Sequence, residues 1–232
     1  MKRILFFLVV LVVTNIQAQD STLIFLKAGQ KLFEVVTPGK IYRYPAFVHG
    51  TIHFKDGSQT NARLNYNFLN GEVEFISLKG DTLAIAKEQM LNIRHVVIDT
   101  SLFYFDDGYL EEVVSAKNGK LLKKQMYKVT KRERIGGYEQ PSSTSAIDTY
   151  SSFTNNGQFN YNLTVRENIT LVKTTDYYFG DQYNTFLRAN KKNLLRLFSK
   201  QQQKIEAYLR ENTVDFKNSE DLKKLLALGV SN

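Results

Sequence analysis

Cysteine is missing altogether from the 232-residue chain, and proline occurs only three times. The first absence excludes disulfides, thiol catalysis, lipid-modified cysteine and thiolate metal sites. The second argues against a largely disordered chain. A content of 43% hydrophobic residues, with 16 Phe and 13 Tyr among them, is enough to build a proper core. Catalytic signatures are missing too. There is no G-x-S-x-G, and Gly136-Gly137 is followed by neither G-K-[ST] nor G-x-G-x-x-G. Beyond the N-terminus no stretch approaches the ~18 apolar residues of a membrane helix.

The N-terminus itself reads as an address. Lys2 and Arg3 precede a ten-residue apolar run, Ile4 to Val13, and small Ala18 offers a cleavage point before Gln19. This anatomy predicts a signal peptide over residues 1–18, with an uncleaved anchor as the alternative. The mature chain begins at Gln19. Loss of two basic residues lowers the formal balance from +8 to +6.

Period-two patterning dominates the mature chain. Asp56-Gly57 and Asn70-Gly71 punctuate alternating runs. A three-residue loop Lys55-Asp56-Gly57 pairs Phe54 with Ser58, Ile52 with Thr60 and Gly50 with Ala62, which brings the apolar parities into agreement. Gly57 then takes the left-handed position. A two-residue loop at Asn70-Gly71 pairs Phe68 with Val73 and Tyr66 with Phe75. Further turns at Gly80-Asp81, Asp106-Asp107-Gly108 and Asn118-Gly119 extend the meander to about eight strands. "KLFEVV" offers one more edge strand before Pro38-Gly39. The expected class is α+β, mainly β: an antiparallel meander forming a curved sheet or small barrel, with short C-terminal amphipathic helices.

The organisation follows from composition. Residues 19–138 read as the antiparallel β domain, and 139–157, rich in Ser and Thr, as a loop or linker. Residues 158–182 alternate again and predict a hairpin joining the sheet. Over 183–232 the period becomes helical, through Leu194, Leu197, Phe198, then Ile205, Tyr208, Leu209, then Leu222, Leu225, Leu226. Asn218 or Ser219 suits the start of the last helix and Gly229 its end. These helices are expected to pack on the sheet.

Candidate chemistry is sparse. His49 and His53 share a strand face, whereas the parity of Leu91, Ile93 and Val97 turns His95 toward the core, so the three do not converge on a metal. Asp106 and Asp107 read as turn residues. Glu111 and Glu112 point to opposite faces, which does not suit a carboxylate pair and predicts a solvated edge. Lys123, Lys124, Lys128, Lys131, Arg132 and Arg134 form the densest basic run. Lys191, Lys192, Arg196, Lys200 and Lys204 decorate the terminal helices. Export argues against nucleic acid and favours a solvated face, anionic lipid headgroups or acidic polysaccharide. Asn162 and Asn168 head glycosylation sequons, and Asp20-Ser21-Thr22 and Asp81-Thr82-Leu83 fit a short O-glycosylation pattern. No catalytic, cofactor-binding or metal-binding residue is assigned, and no cofactor is implied.

The ensemble "GTIHFKDGSQTNARLNYNFLNGEVEFISLKGDTLAI", "FYFDDGYLEEV", "LLKKQMYKV" and the basic tail "LFSKQQQKIEAYLRENTVDFKNSEDLKKLL" resembles exported Bacteroidota proteins of uncharacterised function. The resemblance implies a periplasmic or surface location and this architecture, and carries over no functional residue. The chain supports three readings. The first is a non-enzymatic interaction module for an envelope protein, glycan or lipid, motivated by Ile76 and Leu78 on a face that needs cover. The second is a carrier of a small apolar ligand in a barrel cavity, with Phe75, Phe103 and Phe105 as lining. The third is a hydrolase, with Asp106 to Glu112 as the first region to mutate.

Overall fold

The computed structural model describes residues 23–135, 141–143, 154–155, 158–159 and 164–230. The expected signal peptide 1–18 and most of the expected linker 139–157 lie outside them. Of that linker, β10 (Pro141–Ser143) pairs with β9, and β11 (Thr154–Asn155) pairs with β12 (Gln158–Phe159) as a separate ribbon.

One curved, open antiparallel sheet carries the molecule. Its members are β1 (Leu23–Leu26), β2 (Val48–Phe54), β3 (Gln59–Asn67), β4 (Glu72–Ile76), β5 (Thr82–Ala84), β6 (Ile93–Ile98), β7 (Ser101–Asp106), β8 (Gly108–Ala116), β9 (Gly119–Ile135) and β13 (Asn168–Asp181). They lie in the order β1-β13-β9-β8-β7-β6-β2-β3-β4-β5, and β14 (Phe186–Arg188) extends β13 as a short hairpin. The first turn has the expected register: Ile52 faces Thr60, Gly50 faces Ala62, and the Phe54 amide donates to Ser58 at 2.9 Å. Gly57 has φ +90°.

The second turn differs. Tyr66 pairs with Val73 and Leu64 with Phe75, two residues out from the expected register. Phe68 and Leu69 leave the ladder because both are buried, at 4% and 2% exposure. Asn67 holds the wider turn, its Oδ1 accepting from the Leu69 amide at 2.8 Å. Parity is unchanged by a shift of two, so the same side chains still reach the core.

"KLFEVV" is not a strand. Leu32–Val35 forms a helical turn (α1), Pro38–Ile41 another (α2), and the edge strand is β1. Leu32 and Val36, four apart, are both buried, which favours the helical turn.

Two main cores result. Inside the curve Leu64, Tyr66, Val73, Val96, Phe103, Tyr109 and Tyr127 pack together. At one end α4 (Lys191–Leu197), α5 (Gln202–Glu211) and α6 (Ser219–Val230) bury Leu194, Phe198, Ile205, Leu222, Leu225 and Leu226 on Leu121 and Phe179 of the sheet. Each such burial contributes about 1.5–3 kcal/mol. Asn218 caps α6, accepting from the Glu220 amide at 2.8 Å. Gly229 does not end that helix; it lies inside α6, against Phe198.

Candidate functional site

The core residues inside the curve pack closely against one another, and two chambers lie at its rim. Phe103 is 1% exposed and belongs to the core, and Phe75 packs against it. Phe105 does line a cavity. Two chambers flank the end of β7, and Phe105 and Asp106 contribute to both.

The first chamber, about 440 Å³, lies between the β3–β4 turn, α3 (Lys87–Met90) and the β7–β8 turn. Met90, Leu91, Phe105 and Met126 give it apolar walls; Glu72 and Tyr109 are its polar groups, with Lys87, Asp106, Asp107 and Lys124 around them. One carboxylate oxygen of Glu72 and the hydroxyl of Tyr109 are buried with no hydrogen-bond partner among the described residues. Burial, then the charge of Glu74, push the Glu72 carboxyl up to about 7, against a lowering by Lys87. Burial also raises the Tyr109 hydroxyl, helped by Glu72 and Tyr66.

The lip of this chamber is local turn chemistry. Gly108 has φ +98°, and Lys124 crosses it to donate to the Asp107 carbonyl. A Cβ at Gly108 would stand 2.6 Å from the Lys124 ammonium nitrogen. The Asp106-Asp107-Gly108 signal is therefore a turn, and it is also a cavity wall.

The second chamber, about 460 Å³, is polar and lies on the outer face. Lys55, Arg94, Tyr104, Asp106, Tyr183, Asn184 and Phe186 line it. Its geometry depends on a β-bulge. His53 faces His95 while the next residue, Phe54, faces Ile93, so Arg94 is the extra residue. The core parity switches there, from Ile93 to Val96 and Ile98. Arg94 is exposed, and His95 stands beside His53, ring centroids 4.4 Å apart, and 6.3 Å from Tyr104. The expectation that His95 turns to the core and stays apart from His53 is thus corrected: parity carried through a bulge gives the wrong face. His49 remains exposed, opposite Arg63.

Behind the second chamber sits Lys120, 8% exposed. Its ammonium donates to the Tyr104 hydroxyl at 3.2 Å and to Asn184 Oδ1 at 2.6 Å, and lies 4.4 Å from the Tyr104 ring centroid. Tyr104 donates in turn to Glu112 at 3.2 Å. Burial lowers Lys120, against a raising by Glu112 and Asp181. Burial, then His53, Arg94 and Lys120, hold His95 below its ordinary value. Burial and Glu112 push the Tyr104 hydroxyl up to about 12.

The other candidates resolve into structure. Glu111 is not on a solvated edge: it is buried between Arg43 at 3.3 Å and Lys123 at 3.2 Å. The basic run is largely committed, with Lys128 on Asp176 at 2.7 Å and Lys131 on Glu133 at 2.5 Å. Glu74, whose parity with Ile76 and Leu78 reads as solvent-facing, is buried under Tyr42, which donates to it at 2.8 Å. That cover comes from the segment after α2 rather than from the terminal helices, and Leu78 stays fully exposed in the β4–β5 turn. Asn168 accepts from the Ala28 amide at 3.0 Å, and Thr82 is exposed at the start of β5; Asp20 and Asn162 lie outside the described residues. No helix among the described residues is long and apolar enough to cross a membrane. No group of three or more His, Asp and Glu residues among them is placed to hold a metal.

Sequence reading missed Glu72, Tyr109, Arg94 and Lys120. Glu72 alternates with Val73 and reads as solvent-facing, while Arg94 is re-aimed by a bulge that leaves no residue signature. No protein-family model, curated protein or solved structure matches the chain.

Proposed function

We propose that the chain is an exported envelope protein that binds a small, mainly apolar ligand carrying an N–H or O–H donor, at the mouth of its curved sheet. The observation that carries this is the pair of unpartnered buried polar atoms, on Glu72 and Tyr109, in a cavity with apolar walls. A buried polar atom without a partner costs about 1–3 kcal/mol. A ligand donor that reaches Glu72 recovers part of that cost. The volume lies in the range of about 300–1,000 Å³ usual for small-molecule sites, and the mix of apolar wall with few polar groups is the usual one. The filled interior argues against an enclosed barrel carrier. Export rests on Lys2, Arg3, the apolar run and Ala18; removing residues 1–18 and fractionating the cells tests it.

The binding test uses N-phenyl-1-naphthylamine, an apolar fluorophore with one N–H. Its emission is expected to rise on addition of the protein. Leu91→Trp, at the exposed rim, should block the rise, and Glu72→Gln should weaken binding about tenfold. No rise, or a rise unaltered in both variants, overturns the reading.

A further inference from the structure

The outer chamber carries a separate inference. Its positive groups converge. The Arg94 side chain makes no hydrogen bond or ion pair among the described residues. Lys55 uses one of its N–H groups on the Leu91 carbonyl, at 2.7 Å, and keeps the others. Lys120 stands behind, held by neutral partners, Tyr104 and Asn184. Asp106 is the one carboxylate in the lining.

The same chamber presents aromatic faces. Tyr183 is 79% exposed at the tip of the β13–β14 hairpin. Asp181 fixes that tip, its Oδ1 accepting from the amides of Tyr183 at 2.9 Å and Thr185 at 2.8 Å. Asn184, at φ +64°, and Phe186 complete that wall with Tyr104. A fatty chain would leave the amide and charged groups unpaired. A hydroxylated ring satisfies both kinds of surface: its apolar face lies on an aromatic ring, and its hydroxyls pair with Asn184 and Asp106.

We propose that this chamber binds an anionic sugar, with its carboxylate or phosphate on Arg94 and Lys55 and its ring against Tyr183. Guanidinium pairs with such oxyanions through two parallel hydrogen bonds, which selects Arg94 as the principal contact. The site is distinct from the Glu72 chamber and shares only the Phe105–Asp106 wall with it.

Titration calorimetry with glucuronate, glucose 6-phosphate, glucose and inorganic phosphate tests it. Both anionic sugars are expected to bind, and glucose to bind at least about tenfold more weakly. Arg94→Gln, at an exposed position that leaves the core untouched, should lose about tenfold, and Tyr183→Ala several-fold. Glu72→Gln should leave the sugar titrations unchanged, which separates this site from the naphthylamine site. The proposal is overturned if neither anionic sugar binds, if Arg94→Gln binds them as well as the parent, or if inorganic phosphate matches glucose 6-phosphate. The last result would mark a plain oxyanion site.

Discussion

The amide of Tyr127 on β9 donates to the carbonyl of Phe68 at 2.8 Å, although β9 and β3 are not neighbours in the sheet. The Phe68 turn thus latches one arm of the curve onto the other. Its ring lies 5.6 Å from Tyr66, and the Lys173 ammonium sits 3.5 Å from its centroid. Phe68→Ala should cost about 3–5 kcal/mol, the range for truncating a buried aromatic, and Phe68→Leu clearly less. Urea unfolding followed by tyrosine fluorescence measures both.

Glu111 is the second tie across the curve, joining Arg43 to Lys123. Glu111→Ala leaves two cations facing each other. Breaking a buried pair costs about 3–5 kcal/mol, and the partial exposure of Arg43 reduces this to about 1–3 kcal/mol. A shift of the urea midpoint, with unchanged slope, is the expected result. An unchanged midpoint would show that solvent compensates the lost carboxylate.

Glu72 gives a pH signature in the ligand-free protein. Its carboxyl is raised from 4.5 to about 7 in the fold. Between those values the native protein keeps a proton that the unfolded chain has released, so this group lowers stability as pH rises through that window. Above about 7 the loss is complete, and below 4.5 it is absent. Glu72→Gln, which mimics the protonated form, should match the parent at pH 4 and melt higher at pH 8. Equal melting temperatures at pH 8 would contradict the burial assigned to this carboxyl.

Gly108→Ala should strain the positive φ and push Lys124 off the Asp107 carbonyl. The expected cost is about 1–3 kcal/mol, with loss of naphthylamine binding because the cavity lip moves. Thermal melting and the fluorescence titration read the two effects separately.

Leu225→Ala tests whether the terminal helices belong to the same cooperative unit. Leu225 is fully buried with Leu121 and Phe179 of the sheet. A loss of about 2–5 kcal/mol in one transition is expected. Two separate transitions would show that the helices unfold on their own.

Much of the fold was legible because strand and helix periods act over short spans. The Lys55-Asp56-Gly57 loop fixed its register by matching apolar parities, and Leu222, Leu225 and Leu226 announced a buried helix face. The failures share one physical origin. Phe68 and Leu69 left the ladder to be buried against strands distant in sequence. Arg94 inserted a residue and reversed parity, so His95 was assigned to the wrong face. Glu111 and Glu74 looked solvated because their cover comes from Arg43, Lys123 and Tyr42, contacts that no local pattern reports.

The amino-acid order by itself determined the antiparallel meander, the positions of its glycine turns and the change to helical period near the C-terminus. Each depends on side-chain alternation and backbone φ within a few residues. Only the tertiary structure decided that one Glu72 oxygen and the Tyr109 hydroxyl are buried without partners among the described residues, and that Arg94, Lys55 and Tyr183 share one chamber. Those relations arise when the sheet curves and brings distant segments together, and burial, not residue type, then sets what each polar group can do.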